Sequence, residues 1–278
     1  MIVVENVLRW NTLRFGLVLS GGGAKGAYEA GVIRALYDLD IADKIKAVSG
    51  TSIGALNMLT VPMEDSMLCE NIWHGLGFEN LISSIDTQDK ADVENMVREI
   101  ISAENIREII MKNIDFNRLR SIKLYACAYS LSQMKPVYFY LNDMSDDDII
   151  QAVLASSAIP YLFKPVEVQG SLYADGGVND PVYHKANSDK TPINPLLNHK
   201  LDFIIVVYLS NTEEPLHVSH VATTRFIDII PSAPLEIIKD LGTMDFTKDE
   251  IRRRIELGYV DTMNCIVPFM IEFLTNKG

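Results

Sequence analysis

Two apolar runs, each broken off by a glycine turn and followed at once by a helical pattern, constrain this chain more than any other feature. Residues 15–20, FGLVLS, end in Gly21-Gly22-Gly23, and from Gly26 to Leu39 the positions Tyr28, Val32, Ala35, Leu36 and Leu39 fall on one helical face. A second run, Ile45–Ser49, ends in Gly50-Thr51-Ser52-Ile53-Gly54, and a small apolar helix follows from Ile53 to about Leu59. Strand–turn–helix repeated in this way predicts a parallel sheet whose strands are joined by crossover helices.

Further strands are expected at Ile122–Ser130, Pro136–Leu141, Val166–Val168, Ser171–Ala174 and 202–209. A helix opens at Ser145, an N-cap with Asp146, Asp147 and Asp148 in its first turn, and stops before Pro160. Thr247-Lys248-Asp249-Glu250 reads as a capping box at the start of a late helix. Residues 63–118 are rich in Glu, Asn, Met and Ile, with a helical stretch near Lys90–Asn113, and read as an α-helical insertion beside the sheet. No linker is evident. The expected organisation of 1–278 is therefore one α/β domain. It is a three-layer sandwich with a mainly parallel central sheet flanked by helices, plus a helical cap at about 63–118.

Composition narrows the setting. With 278 residues, 48% of them apolar, the chain can form a core without disulfides or metals. Cys69, Cys127 and Cys265 are widely spaced and odd in number, which fits a reducing compartment and argues against a cysteine zinc site. A net charge of −12 repels phosphate backbones, so no nucleic-acid partner is expected, and it weakens purely electrostatic docking to anionic lipid. The first twenty residues carry Glu5, Arg9 and Arg14 and read as no signal peptide. The apolar runs at 203–209 and 265–274, the latter interrupted by Pro268 and Glu272, are too short to span a bilayer. The expectation is a cytoplasmic protein, with peripheral membrane contact left open through apolar side chains or a local basic patch.

Three motifs carry the chemistry. Gly50-Thr51-Ser52-Ile53-Gly54 is a G-x-S-x-G between a strand and a helix. In a nucleophile elbow this pattern puts the serine on a sharp turn, with its hydroxyl exposed at the strand end and facing a helix N-terminus. The bland alternative is an ordinary N-cap serine. Gly21-Gly22-Gly23-Ala24-Lys25-Gly26 fits the glycines of a dinucleotide loop, but the second strand ends in Val48-Ser49 without the carboxylate that would hold a ribose. It also lacks the Lys-Ser or Lys-Thr of a P-loop. What remains is a turn presenting several N–H groups at a helix start, suited to an oxyanion. Ala174-Asp175-Gly176-Gly177 is by itself only a turn signature.

Taken in order, Gly-Gly-Gly-x-Lys-Gly, Gly-x-Ser-x-Gly and Asp-Gly-Gly resemble the motifs of the patatin-like phospholipases and acyl hydrolases, as do SSAIP at 156–160 and DGGVNDPV at 175–182. The resemblance covers about residues 14–210. It implies a serine hydrolase of phospholipid or other acyl esters in which Ser52 is the nucleophile and Asp175 its dyad partner. Gly21, Gly22 and Gly23 form the oxyanion hole, and Lys25 stands where the family carries a basic residue. Gly26, Gly50, Gly54, Gly176 and Gly177 complete the motifs. No cofactor and no metal are required.

Two rival readings stay open. Ser52, Asp175 and a later histidine (His184, His199, His217 or His220) are also in the order of an α/β-hydrolase triad. A non-catalytic lipid-binding protein on the same fold is the other. Arg252-Arg253-Arg254 reads as a solvated face or a set of ion pairs, with a phosphate headgroup contact as the alternative. Ile72, Trp73, Leu76, Phe78, Leu81 and Ile82 form an apolar cluster that reads as core, the alternative being a rim that meets lipid.

Overall fold

The computed structural model describes residues 2–77, 95, 98–177, 188–215, 224–236 and 243–275. In chain order, α1 (Ile2–Thr12) leads into β1 (Phe15–Leu19), and a short 3-10 turn at Gly23–Gly26 leads into α2 (Ala27–Asp38). Then come β2 (Ile45–Thr51), α3 (Ile53–Asn57), α4 (Leu68–Leu76), α5 (Ala103–Asn113) and α6 (Phe116–Leu119). They are followed by β3 (Lys123–Ser130), β4 (Lys135–Tyr140), α7 (Asp146–Ser156), β5 (Val166–Val168) and β6 (Ser171–Asp175). The chain continues through β7 (Phe203–Val207), β8 (Arg225–Ile229) and α8 (Lys248–Thr275).

One sheet runs in the order β5-β6-β3-β2-β1-β7-β8, with β4 paired to β3 outside that path. From β3 to β8 all neighbours are parallel, and β4, β5 and β6 are antiparallel additions at one side. The register around β3 matters for everything that follows. Residues 125–127 pair with both β2 and β4, and 128–130 pair with both β4 and β6. Hence β2 and β6 share one edge of β3 and meet on it head-on. Thr51 is opposite Cys127, and Asp175 is opposite the next residue, Ala128.

Phe15, Leu17 and Leu19 face a large core completed by Ile33 and Leu36 of α2, Ile150 and Val153 of α7, and Ile251, Ile255 and Ile266 of α8. The opposite face of the sheet, at Val18, Ala47, Ile204 and Val206, is covered by Ile193, Leu196 and Leu201. The Ser145 cap forms as expected, its hydroxyl accepting from the N–H of Asp148. The late helix starts where expected but is capped differently. Asp245 Oδ1 takes the N–H (3.1 Å) and the hydroxyl (2.8 Å) of Thr247, while the Glu250 carboxylate is occupied by Arg253.

Pro268 does not interrupt α8, which runs unbroken for 28 residues. By length and composition alone this helix is apolar enough to cross a membrane. In the fold it lies against α2 and α1, with Arg254 and Asp261 among its buried residues. Tyr28 of α2 donates to Asp261 at 3.0 Å in the buried interface. Of the sequence-expected helical stretch 90–113, α5 supplies the second half, and most of its first half lies outside the described residues.

Candidate active site

β2 ends at Thr51, and the next residue, Ser52, sits at φ 55°, ψ −122°. A side-chain-bearing residue there is strained, and surrounding structure must hold it. The turn is so tight that a Cβ on Gly50 would lie 2.4 Å from the Gly54 carbonyl oxygen, and a Cβ on Gly54 2.4 Å from that of Leu19. Glycine at both positions is therefore steric necessity. The Ser52 N–H donates to Ser156 Oγ at 2.8 Å, and the Ser156 hydroxyl donates to the Cys127 carbonyl at 2.5 Å. Ser156 thus fastens the elbow to β3 at the point where β2 stops.

Asp175 arrives from the other direction along the same edge. Its side chain is almost fully buried, and Oδ1 accepts the Gly177 N–H at 2.8 Å. Oδ2 is buried without a hydrogen-bond partner among the described residues. Burial raises this carboxyl to about 6, and the nearby Ser52 hydroxyl and Gly177 N–H oppose that rise.

The glycine loop lies beside the serine. A Cβ on Gly21 would stand 3.4 Å from Ser52 Cβ. The Gly21 N–H is not available to an oxyanion, because it donates to the Lys190 carbonyl at 2.9 Å. Of the three glycines expected to donate, Gly21 is thus engaged by the protein itself. Gly23 adopts φ +57°, and a Cβ there would come within 2.3 Å of the Thr243 carbonyl oxygen. Only glycine satisfies both conditions. The Gly26 carbonyl accepts from Asn57 Nδ2 at 3.0 Å. The Lys25 Nζ is taken up by Glu236.

A strap around Asp189 joins the three motifs, and nothing in its own sequence announces this. The Asp189 N–H donates to the Gly176 carbonyl at 2.8 Å, the Thr51 hydroxyl donates to the Asp189 carbonyl at 2.7 Å, and the adjacent Lys190 carbonyl holds Gly21. Behind the elbow, Asn57 Nδ2 donates to Glu29 Oε2 at 2.8 Å, and Trp73 Nε1 donates to Asn57 Oδ1 at 3.0 Å. Burial pushes the Glu29 carboxyl up to about 8, so it is mostly protonated at neutral pH. Ser156 could have been suspected from the SSAIP segment. Asn57, Glu29 and the strap carried no such mark.

A narrow apolar cleft opens beside Ser52 and Gly23, walled by Leu56, Leu76, Ile106, Ile159 and Phe246. Leu76 and Ile106 belong to the 63–118 insertion. Trp73 is core, stacked on Phe246 at 5.9 Å, while Phe78, Leu81 and Ile82 lie outside the described residues. His199 precedes β7, where Arg14 and Lys123 depress its pKa after burial does, and it bonds the Tyr125 hydroxyl at 2.9 Å. That is the opposite end of the sheet from Ser52. His184, His217 and His220 lie outside the described residues. Arg252 and Arg253 form the expected ion pairs with Asp249 and Glu250, but Arg254 is fully buried, so neither a solvated face nor a headgroup contact describes it.

Parallel βαβ sheets whose strand ends in a strained serine form a broad class, and the glycine loop on the neighbouring strand narrows it. The sequence profile of the patatin-like phospholipase family matches residues 17–186, and the chain belongs to that family. An uncharacterized NTE family protein of Mycobacterium tuberculosis is 27% identical over 205 residues, covering 72% of this chain and 50% of the relative. This chain thus spans about half the length of that relative. A probable lipid hydrolase of Invertebrate iridescent virus 6 is 26% identical over 213 residues, 69% of this chain and 68% of the relative. Human GIVD cytosolic phospholipase A2, solved with methyl gamma-linolenyl fluorophosphonate, superposes with a TM-score of 0.57 at 11% identity. It covers 98% of this chain and 62% of that one, a likeness of fold.

Proposed function

We propose that the chain is a serine lipid acyl hydrolase cleaving fatty-acyl esters of phospholipids or lysophospholipids through a Ser52–Asp175 dyad. The observation that supports this reading is the head-on meeting of β2 and β6 on one edge of β3, with a strained serine following β2 and, at the end of β6, a buried carboxyl whose Oδ2 has no partner among the described residues. Family membership and the viral relative named as a probable lipid hydrolase support the substrate class.

Ionised Asp175 accepts the Ser52 proton as Oγ attacks the ester carbonyl, and the new oxyanion takes hydrogen bonds from the N–H groups of Gly22 and Gly23. Asp175 then returns the proton to the leaving alcohol. Water, deprotonated by the same carboxylate, attacks the acyl-Ser52 ester, and Asp175 returns that proton to Ser52 Oγ as the fatty acid leaves. A pKa of about 6 suits this work: Asp175 is a stronger base than a solvated carboxylate, yet mostly ionised at pH 7. The cleft beside Ser52 receives the acyl chain, and the 63–118 insertion acts as its cap within a single 1–278 domain.

A fluorophosphonate probe tests the nucleophile, with labelling expected in the parent protein and absent in Ser52→Ala. A lipid-class hydrolysis panel then fixes the substrate. No labelling of well-folded protein would favour the non-catalytic lipid binder. Activity should show an acidic limb near pH 6. A folded His184→Ala, His217→Ala or His220→Ala variant that is inactive would instead favour the triad.

A further inference from the structure

Arg254 lies in the second turn of α8, beyond the family match, and is fully buried. Its guanidinium reaches three main-chain carbonyls from separate parts of the chain. Nε donates to Leu235 at 3.0 Å, and Nη1 donates to Asp245 at 2.7 Å and to Ala24 at 3.2 Å. Nη2 stands 3.5 Å from Glu250 Oε2.

Ala24 directly follows Gly23, and its N–H is also held, by the Thr243 carbonyl at 2.9 Å. On the other side of the loop the Gly21 N–H is held by Lys190. Gly22 and Gly23 therefore form a two-residue span pinned at both ends. Burying a guanidinium costs several kcal/mol in desolvation, and an apolar side chain would fill the same volume more cheaply. What an apolar side chain cannot supply is a rigid planar fork of donors, and lysine offers only a point charge on a flexible stem.

We infer that Arg254 is a positioning residue for the glycine loop. Through the Ala24 carbonyl, and through the Leu235 and Asp245 carbonyls that flank Thr243, it keeps the Gly22 and Gly23 N–H groups aimed at the site of the oxyanion. This rests on the oxyanion role proposed above for those two groups.

The test is R254K, which keeps the charge and nearly the volume but cannot span three carbonyls. On a soluble p-nitrophenyl ester, kcat should fall at least about tenfold while KM stays within about threefold, as expected when an interaction made only in the transition state is lost. The acidic limb near pH 6 should not move, because Ser52 and Asp175 are untouched. Fluorophosphonate labelling should slow in step with kcat, since the phosphonyl oxygen uses the same donors.

Gly23→Ala, assayed in parallel, separates the two readings. If it is inactive while folded R254K stays within threefold of the parent, only the role of Arg254 falls. If folded Gly23→Ala is itself near normal, the oxyanion reading falls first. Amide exchange on the unsubstituted protein supplies a measurement that needs no variant. The Ala24 N–H should be protected as strongly as the buried amides of α8, and exchange at the rate of an exposed loop would overturn the inference.

Discussion

The elbow at Ser52 and the glycine loop at Gly21–Gly23 face each other across the site, but they are built on different plans. The elbow is shaped mostly from within: Gly50 and Gly54 permit the turn, α3 starts at once, and one side chain, Ser156, ties it to β3. The loop is shaped from without, by Lys190 before it and by Thr243 and Arg254 after it, all distant in sequence. A group that must carry a strained backbone is made locally. A loop whose proposed task is only to point two N–H donors can be held by whatever the fold brings near. Substitutions at the elbow should therefore damage chemistry directly, and substitutions around the loop should damage it by degrees.

The largest effects are expected at the reacting groups. Ser52→Ala and Asp175→Asn should each lower kcat by ~10⁴-fold or more and should not add when combined, as for residues that act as one unit. Asp175→Asn carries a second signature. Between pH 3.8 and about 6 the folded protein holds a proton that the unfolded chain has lost, so stability falls as pH rises through that window. Replacing the group should remove that loss and raise stability at pH 8 by up to about 3 kcal/mol. Denaturant titration at pH 4 and pH 8 checks this, and equal stabilities of the two proteins at pH 8 would contradict it.

Next comes Gly23→Ala, where the added Cβ meets a main-chain oxygen and φ is positive. Its kcat should fall by ~10²–10³-fold, the size of effect seen when one oxyanion donor is lost. If its damage were instead confined to KM, the contrast between elbow and loop would break. Ser156→Ala should cost about 1–3 kcal/mol of stability by leaving the Ser52 N–H buried and unpaired, with about a tenfold loss in kcat as the elbow loosens. The smallest effect on activity concerns the region behind the elbow, where the readout is stability. Glu29 titrates at about 8 instead of 4.5, so Glu29→Gln should stabilise progressively as pH rises from 4.5 to 8 and then level off. A difference that does not vary with pH would place the cause elsewhere.

The same contrast sets what can be read from the chain. Ser52 and its glycines are visible because strand, turn and helix follow one another within a dozen residues, each with its own periodicity. The Ser145 cap was legible for the same reason, since donor and acceptor are three residues apart. The capping box at Thr247 failed because Asp245, two residues upstream, competes for the same groups and Arg253 takes Glu250. Arg254 was unreadable in kind. Its two companions in the run of arginines are ion-paired as expected, and only the tertiary fold decides which one turns inward to meet Ala24. Gly21 looked like a third donor until Lys190, far along the chain, claimed its N–H.

The junction on β3 has a further consequence. Ser52 and Asp175 are more than a hundred residues apart in the chain, yet Thr51, the residue before the serine, and Asp175 itself pair with two consecutive residues of β3, Cys127 and Ala128. The strand acts as a ruler with both reacting groups clipped to neighbouring marks. Lengthening or shortening what hangs between them leaves the marks in place, so under the proposed function the walls of the cleft beside Ser52 can be rebuilt for other acyl chains without moving the proposed dyad. A one-residue slip of β6 along that ruler would displace its backbone by about 3.3 Å and turn the Asp175 side chain to the other face of the sheet. The fold therefore tolerates large insertions in the intervening chain and almost none in the three residues of β6 that pair with β3.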